Sequence, residues 1–159
     1  MDDTTIAYVA GLFDGEGCIG IWRSKGPIYK WSKSPVYRLT IAIASTHKDV
    51  IYWLADLFEG TRYRRQKAAI NNPKWANSWT WCATNTRALN ILVALKPYLR
   101  LKSAEAQIAI DFYANCINNR RSGGANGNPA LTEEELQLRD SYVLAMHNAK
   151  SSYKDYSLG

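Results

Sequence analysis

The residues with the clearest capacity for chemistry lie near the N-terminus, where a short apolar run is followed at once by two acids. The run Val9-Ala10-Gly11-Leu12-Phe13 leads directly into Asp14-Gly15-Glu16-Gly17. A carboxylate beside the unpaired carbonyls at the end of a helix is an oxygen-rich site suited to Mg²⁺, and the partial negative charge of a helix C-terminus also favours a cation. The same pattern also fits an ordinary helix end that carries two solvated acids.

The apolar run predicts a helix that is buried on all its faces. Thr4 or Thr5 can cap a helix that begins at Ile6, and residues 6–13 are apolar on every side, so this helix must lie inside a core or between subunits. One carboxylate per chain supplies few metal ligands, whereas two chains packed through the helix would bring two such ends together. A glycine in the helix would let the two backbones approach closely. The residues predicted at this dimer interface are Tyr8, Gly11 and Leu12.

A sheet must position the end of this helix. Strands are predicted at 18–23, 36–44, 61–67 and 78–83. The second strand alternates strictly, with Leu39, Ile41 and Ile43 on one face and with Arg38 and Thr40 on the other. This pattern predicts a sheet with one face on a core and one face open to a partner.

Capping residues divide most of the remaining chain into helices. Thr46, with Asp49 as the capping-box acid, predicts a helix that Gly60 ends, and Ser103 is predicted to cap another. A helix is also predicted over 86–95, and Thr132-Glu133-Glu134-Glu135 begins a last one that reaches about residue 148.

The order of these elements predicts an α+β fold of the form αββαββα with a helical C-terminal tail. It implies a four-stranded, mostly antiparallel sheet with helices on one side. The 159 residues fit one domain, 1–159, with a core at about 5–117 and with a loop and C-terminal helix over 118–159.

The positive charge is concentrated in the middle of the chain. Residues 61–121 hold 11 basic and 2 acidic side chains, while the chain as a whole carries +6. Of the 19 aromatic residues, 16 are Trp or Tyr, whose rings suit interfaces and nucleic acid. The basic block therefore favours a polyanionic partner, most simply nucleic acid, over a solubility charge spread across several faces.

The composition argues against export and membranes. No apolar run approaches the length that spans a bilayer, and the N-terminus, Met1-Asp2-Asp3, is acidic where a secretory signal would be basic. The cysteines number three and show no CxxC spacing, which disfavours a disulfide framework or a zinc site. We therefore expect an intracellular protein, in a prokaryotic cytoplasm or an organelle, with no membrane partner.

The segment from Val9 to Gly17, VAGLFDGEG, resembles the signature of the LAGLIDADG homing endonucleases. The order of elements over about 5–117 is similar to the αββαββα core of that family. The run Pro97-Tyr98-Leu99-Arg100-Leu101-Lys102, with a helix after it, resembles the segment that carries the family's active-site lysine. Only one copy of the motif is present. The resemblance therefore implies a homodimer, because the single-motif members of the family pair with a second copy, whereas the two-motif members are longer monomers.

The resemblance implies a role for each acid of the motif. Glu16 stands where the family has its metal-binding acid, so it is a catalytic residue and a ligand of Mg²⁺ or of another divalent cation such as Mn²⁺. Gly15 stands where a backbone carbonyl helps hold the metal. Asp14 is more often structural or accessory than a direct ligand.

The resemblance also implies two further catalytic residues. Lys102 would stabilise charge on the scissile phosphate, unless it is one more solvated lysine. His47 stands where related enzymes often place a residue that orients the attacking water, although it could simply begin a helix. A basic residue is often found about one helical turn further on, and Ile51 stands there instead.

In this family the open face of the sheet contacts DNA. Alternation along the second strand places Arg38 and Thr40 on that face. On the first strand, counting from Glu16 favours the parity of Trp22 and Ser24 over that of Arg23 and Lys25. On the third strand, Arg62 and Arg64 are preferred to the alternative pair, Tyr63 and Arg65. The predicted DNA-binding residues are Trp22, Ser24, Arg38, Thr40, Arg62 and Arg64.

The resemblance implies a site-specific, metal-dependent double-strand DNA endonuclease encoded in an intron. A homodimer would cleave a long, pseudo-palindromic target across the minor groove and leave short 3′ overhangs. One alternative is an RNA maturase, whose partner would be intron RNA. The other is a DNA-binding protein that no longer cleaves.

Overall fold

The helices and strands follow one another in the predicted αββαββα order. The structure, a computed structural model, describes residues 1–27, 33–59, 61–66, 76–118 and 129–151. Its elements are α1 (Asp3–Glu16), β1 (Gly17–Arg23), β2 (Tyr37–Ser45), α2 (Lys48–Leu57), β3 (Arg62–Gln66), β4 (Ser78–Thr84), α3 (Asn85–Leu95), α4 (Ser103–Phe112) with a π-helical turn (Tyr113–Asn118), and α5 (Glu133–Ser151). None of the described helices combines the length and the apolar character that crossing a bilayer requires.

The four strands form one sheet in the order β1-β2-β4-β3, and every neighbouring pair is antiparallel. Ile19 pairs with Ile41 in the register of β1 and β2, and both side chains are fully buried. Buried residues of the helices, among them Phe13, Leu54 and Leu92, cover this face of the sheet. The α+β fold with helices against one face of the sheet is therefore confirmed.

Helix α1 begins earlier than predicted and buries only one of its faces. Its N-cap is Asp2 rather than Thr4 or Thr5, because the Asp2 carboxylate accepts hydrogen bonds from the backbone N–H and the hydroxyl of Thr5 at 2.9 and 2.7 Å. Tyr8, on the opposite face, is 61% exposed. The core of one chain therefore does not bury the outer face of α1, and burial of that face between subunits stays a prediction.

A close approach at Gly17 fixes the path from α1 into β1. The Gly17 backbone N–H donates to the carbonyl of Phe13 and closes the helix. A Cβ atom at Gly17 would lie 2.4 Å from that carbonyl oxygen and 2.6 Å from the Phe13 ring. Because neither a backbone oxygen nor a core ring can move away cheaply, only glycine fits at this position.

Two of the predicted helix caps are displaced by one residue. Helix α2 has His47 rather than Thr46 at its N-cap and ends at Leu57, while Gly60, its predicted end, lies outside the described residues. Helix α4 has Lys102 at its N-cap, so Ser103 is its first residue.

Helix α5 begins with the predicted capping box and braces the core. The Thr132 N–H donates to the Glu135 carboxylate at 2.7 Å, and the Glu135 N–H donates to the Thr132 hydroxyl at 3.2 Å. Met146 lies in the core, and the Tyr37 hydroxyl of β2 donates to the Asp140 carboxylate at 2.7 Å. Because Asp140 also forms an ion pair with Arg23 at 2.9 Å, α5 is tied to the first strand pair.

Candidate functional site

Asp14 links the last turn of α1 to the segment before α4. Its two carboxylate oxygens accept hydrogen bonds from the backbone N–H groups of Arg100, at 2.7 Å, and of Lys102, at 2.9 Å. Burial opposes ionisation of this carboxyl, but the N–H groups of Arg100, Lys102 and Leu101, together with the Lys102 charge, outweigh it and lower the pKa of Asp14. Asp14 is thus a charged cross-link between two distant parts of the chain.

This cross-link brings Lys102 to the C-terminal end of α1, the helix that carries the motif and is called the motif helix below. The Lys102 ammonium donates a hydrogen bond to the backbone carbonyl of Asp14. Glu16, two residues further along, is the last residue of α1, and its side chain is exposed to solvent. The structure therefore places a cation and an accessible carboxylate at one helix end, although 86 residues separate them in the sequence.

The donor atoms at this helix end suit a hard divalent cation, but one chain provides few of them. Glu16 offers a carboxylate and Gly15 a carbonyl, and both residues are exposed. Among the described residues, no group of three or more His, Cys, Asp or Glu side chains could hold a metal ion. The remaining ligands would have to come from water, from a phosphate-bearing substrate or from a second chain.

His47 lies at the same end of the sheet as Glu16. Gly17 pairs with Ile43 in the sheet, and His47 follows Ile43 by four residues. The His47 side chain is exposed, and its backbone N–H donates to the Ser45 hydroxyl at 3.1 Å. Ile51, which stands where a second basic residue was considered, is fully buried in the core.

The open face of the sheet carries polar and aromatic side chains. Trp22 is 47% exposed, and the Arg38 guanidinium lies 5.8 Å from the centroid of its ring. Thr40, opposite Gly20 on β1, is half-buried on the same face. The register pairs Arg62 with Cys82 and Arg64 with Thr80, which are open-face positions of β4.

Alternation along β1 assigns Ser24 to the open face, but the structure buries its side chain in the turn that follows the strand. Its side chain is 2% exposed. Its hydroxyl donates to the Gly26 carbonyl at 2.5 Å and accepts from the Val36 N–H at 2.9 Å, so it holds the end of the β1–β2 hairpin together. Parity predicts a strand face but not a hydrogen bond in a turn, and DNA contact by Ser24 stays a prediction.

Two residues that the sequence did not predict lie beside Lys102. A cavity of about 280 Å³ is lined by Gly17, Cys18, Leu101, Lys102, Glu105 and Lys150. The spacing of Glu105, three residues after Lys102 at the start of α4, could have indicated that the two are neighbours. Lys150 gave no such signal, because only the packing of α5 brings it here.

Solved structures of several homing endonucleases have this fold. The chain is similar to the homing endonuclease I-CvuI in complex with DNA, with 18% identity, a TM-score of 0.64 and coverage of 96% of this chain and 94% of that one. It is also similar to the archaeal intron-encoded homing endonuclease I-Vdi141I complexed with DNA, with 10% identity, a TM-score of 0.69 and coverage of 94% of this chain and 86% of that one. A third similar structure is the LAGLIDADG homing endonuclease I-SmaMI bound to cleaved DNA, with 15% identity, a TM-score of 0.65 and coverage of 91% of this chain and 44% of that one. No protein-family model and no curated protein sequence matches the chain.

These likenesses confirm the fold that the motif resemblance implied. The chain has the fold of the LAGLIDADG homing endonucleases. It spans nearly all of I-CvuI and I-Vdi141I but less than half of I-SmaMI.

Proposed function

We propose that this chain, folded like the LAGLIDADG homing endonucleases, is a site-specific, metal-dependent double-strand DNA endonuclease. The observation that supports this most directly is the cross-link through Asp14, which holds Lys102 at the end of the helix that also carries the exposed Glu16. A carboxylate that can bind a cation and an ammonium that can bind a phosphate are the two charges that phosphodiester hydrolysis needs. We further propose that it acts inside the cell, wherever the host DNA lies.

Each residue of the site has a distinct part in this chemistry. The Glu16 carboxylate and the Gly15 carbonyl would hold Mg²⁺ or Mn²⁺, which when bound polarises the phosphate and makes water more acidic. The Lys102 ammonium would neutralise charge that develops on the scissile phosphate. Asp14 positions Lys102, and His47 would orient the attacking water.

The open face of the sheet is the proposed DNA-binding surface. A sheet of this width can enter the major groove, where guanidinium groups reach guanine edges or phosphates. Trp22, Arg38 and Thr40 lie on that face, and Arg62 and Arg64 occupy positions on the same face. Base contacts from these residues would select the target, while phosphate contacts would set its register.

We propose that the active form is a homodimer whose two α1 helices pack together. The chain covers 94% of I-CvuI but 44% of I-SmaMI, which fits a unit that pairs with a second copy. The outer face of α1 supports this proposal, because Gly11 and Tyr8 are exposed there. The Tyr8 ring packs edge-to-face against the Trp53 ring of α2, with 5.7 Å between the ring centroids. Two-fold symmetry would place one Glu16 at each strand of a pseudo-palindromic target.

Replacing Gly11 with leucine tests the dimer separately from the fold. A Cβ atom at Gly11 meets no side chain and no neighbouring element within 4 Å, so the variant should still fold. If α1 packs against α1, the added side chain holds the backbones apart, and we expect the dimer dissociation constant to rise about 100-fold or more. Sedimentation equilibrium measures this constant, with Val93→Leu, at an exposed position of α3, as the control. An unchanged dissociation constant would show that α1 is not the contact.

The decisive experiment for the function is cleavage of DNA by the purified protein. The substrates are DNA from the region that flanks its gene and a library of randomised duplexes. We expect cleavage at one site with Mg²⁺, no cleavage with EDTA, and products with short 3′ overhangs. Tight binding to one site without cleavage would favour a DNA-binding protein. Acceleration of intron splicing without DNA cleavage would favour a maturase.

A further inference from the structure

Two lysines from distant parts of the chain line the cavity beside α1. Lys102 reaches it from the start of α4, and Lys150 from the last turn of α5. Gly17 and Cys18, which follow Glu16 directly, form another part of its wall. The cavity therefore lies next to the proposed metal-binding carboxylate.

A buried carboxyl lies with these two lysines. The Glu105 side chain is only 3% exposed. Burial raises the pKa of Glu105, while the charges of Lys150 and Lys102 lower it and that of Asp14 raises it. Glu105 thus lies within electrostatic range of both lysines and lines the same cavity.

The hydrogen bond that the Lys150 ammonium makes is one that a substrate phosphate could replace. Its ammonium donates a hydrogen bond to the Cys18 sulfur at 3.4 Å. A thiol sulfur is a weak acceptor, so the ammonium would lose little by turning to a phosphate oxygen. Lys150 is also only half-buried, so a ligand at the mouth of the cavity can reach it.

We propose that Lys150 is a second phosphate-binding cation of the active site, supplied by helix α5. This inference rests on the proposed endonuclease function. In the hydrolysis, the oxygen of water bonds to phosphorus, the bond from phosphorus to O3′ breaks, and a proton of the water ends on the leaving O3′. Lys102 and Lys150 would share the negative charge that grows on the phosphate oxygens. Helix α5 then contributes to catalysis as well as to the core.

The test replaces Lys150 with methionine, which keeps most of the length of the side chain and removes its charge. With Mg²⁺ we expect single-turnover cleavage to slow about 100-fold and the melting temperature to stay within about 2 °C. Lys150→Arg should recover most of the rate. The matched control is Lys96→Met, at the end of α3, which does not line the cavity and should cleave like the parent. A Lys150→Met variant that cleaves at the parental rate would overturn the proposal.

A second measurement does not depend on cleavage. A lysine that contacts a phosphate releases a counterion, so Lys150→Met should reduce the slope of log affinity against log salt concentration by about 0.9 per subunit. Lys96→Met should leave the slope unchanged. If the parent protein binds DNA without cleaving it, the proposed function fails. The change in this slope would still show whether Lys150 contacts a phosphate. An unchanged slope in Lys150→Met would overturn the inference even in an active endonuclease.

Discussion

Replacing Glu16 with glutamine should reduce Mg²⁺-dependent cleavage by about 10³-fold or more and leave DNA affinity within a few-fold of the parent. Glutamine keeps the size of the side chain and one oxygen, but it loses the charge that holds a hard cation. Because Glu16 is exposed at the end of α1, the change disturbs no packing. Single-turnover cleavage over a range of Mg²⁺ concentrations measures the first effect, and a mobility-shift titration measures the second.

The control for this prediction is a glutamate that is equally exposed but remote from the site. Glu134, in the first turn of α5, meets that description, and Glu134→Gln should cleave like the parent. Cleavage at the parental rate by Glu16→Gln would remove Glu16 as the metal-binding residue. A parallel loss of affinity and cleavage would instead indicate that Glu16 acts in DNA binding.

Local periodicity was sufficient to predict the architecture of the sheet. Leu39, Ile41 and Ile43 alternate with polar or small residues, and the structure buries all three completely. The start of α2 was predicted one residue early, because Thr46 is the better capping type while β2 continues to Ser45. The Ser45 hydroxyl then accepts the N–H of His47, which takes the cap position without a side-chain bond.

The site was less predictable, because its parts meet through tertiary packing. The resemblance of the motif named Glu16 and Lys102, but nothing in their spacing shows that Asp14 joins the two segments by hydrogen bonds to backbone N–H groups. Lys150 lies beyond the αββαββα core, in a tail whose sequence predicted a helix but no site residue. Its place in the cavity depends on how α5 packs on α4 and β1.

The Asp14 cross-link should make both stability and catalysis sensitive to one atom. In Asp14→Asn, an amide NH₂ group replaces one of the two acceptor oxygens. This donor must then face another donor, the backbone N–H of Arg100 or of Lys102. We expect the free energy of unfolding to fall by about 1–3 kcal/mol at pH 7. Cleavage should fall about 100-fold, because Lys102 loses its fixed place at the end of α1. Urea denaturation and single-turnover cleavage measure the two effects, with Asp56→Asn, an exposed acid on α2, as the control.

The pH dependence separates this cross-link from a simple packing contact. The pKa of Asp14 is lower in the folded protein than its ordinary value of 3.8, so its ionisation stabilises the fold above that pH. This stabilisation is lost as the pH falls below about 3.8 and through the folded-state pKa, so the parent and Asp14→Asn should converge in stability over that range. The loss of stability in Asp56→Asn should be small at every pH. A difference between the parent and Asp14→Asn that stayed constant from pH 7 to pH 3 would mean that Asp14 acts through its shape, and that its charge has no part in joining α1 to the Lys102 segment.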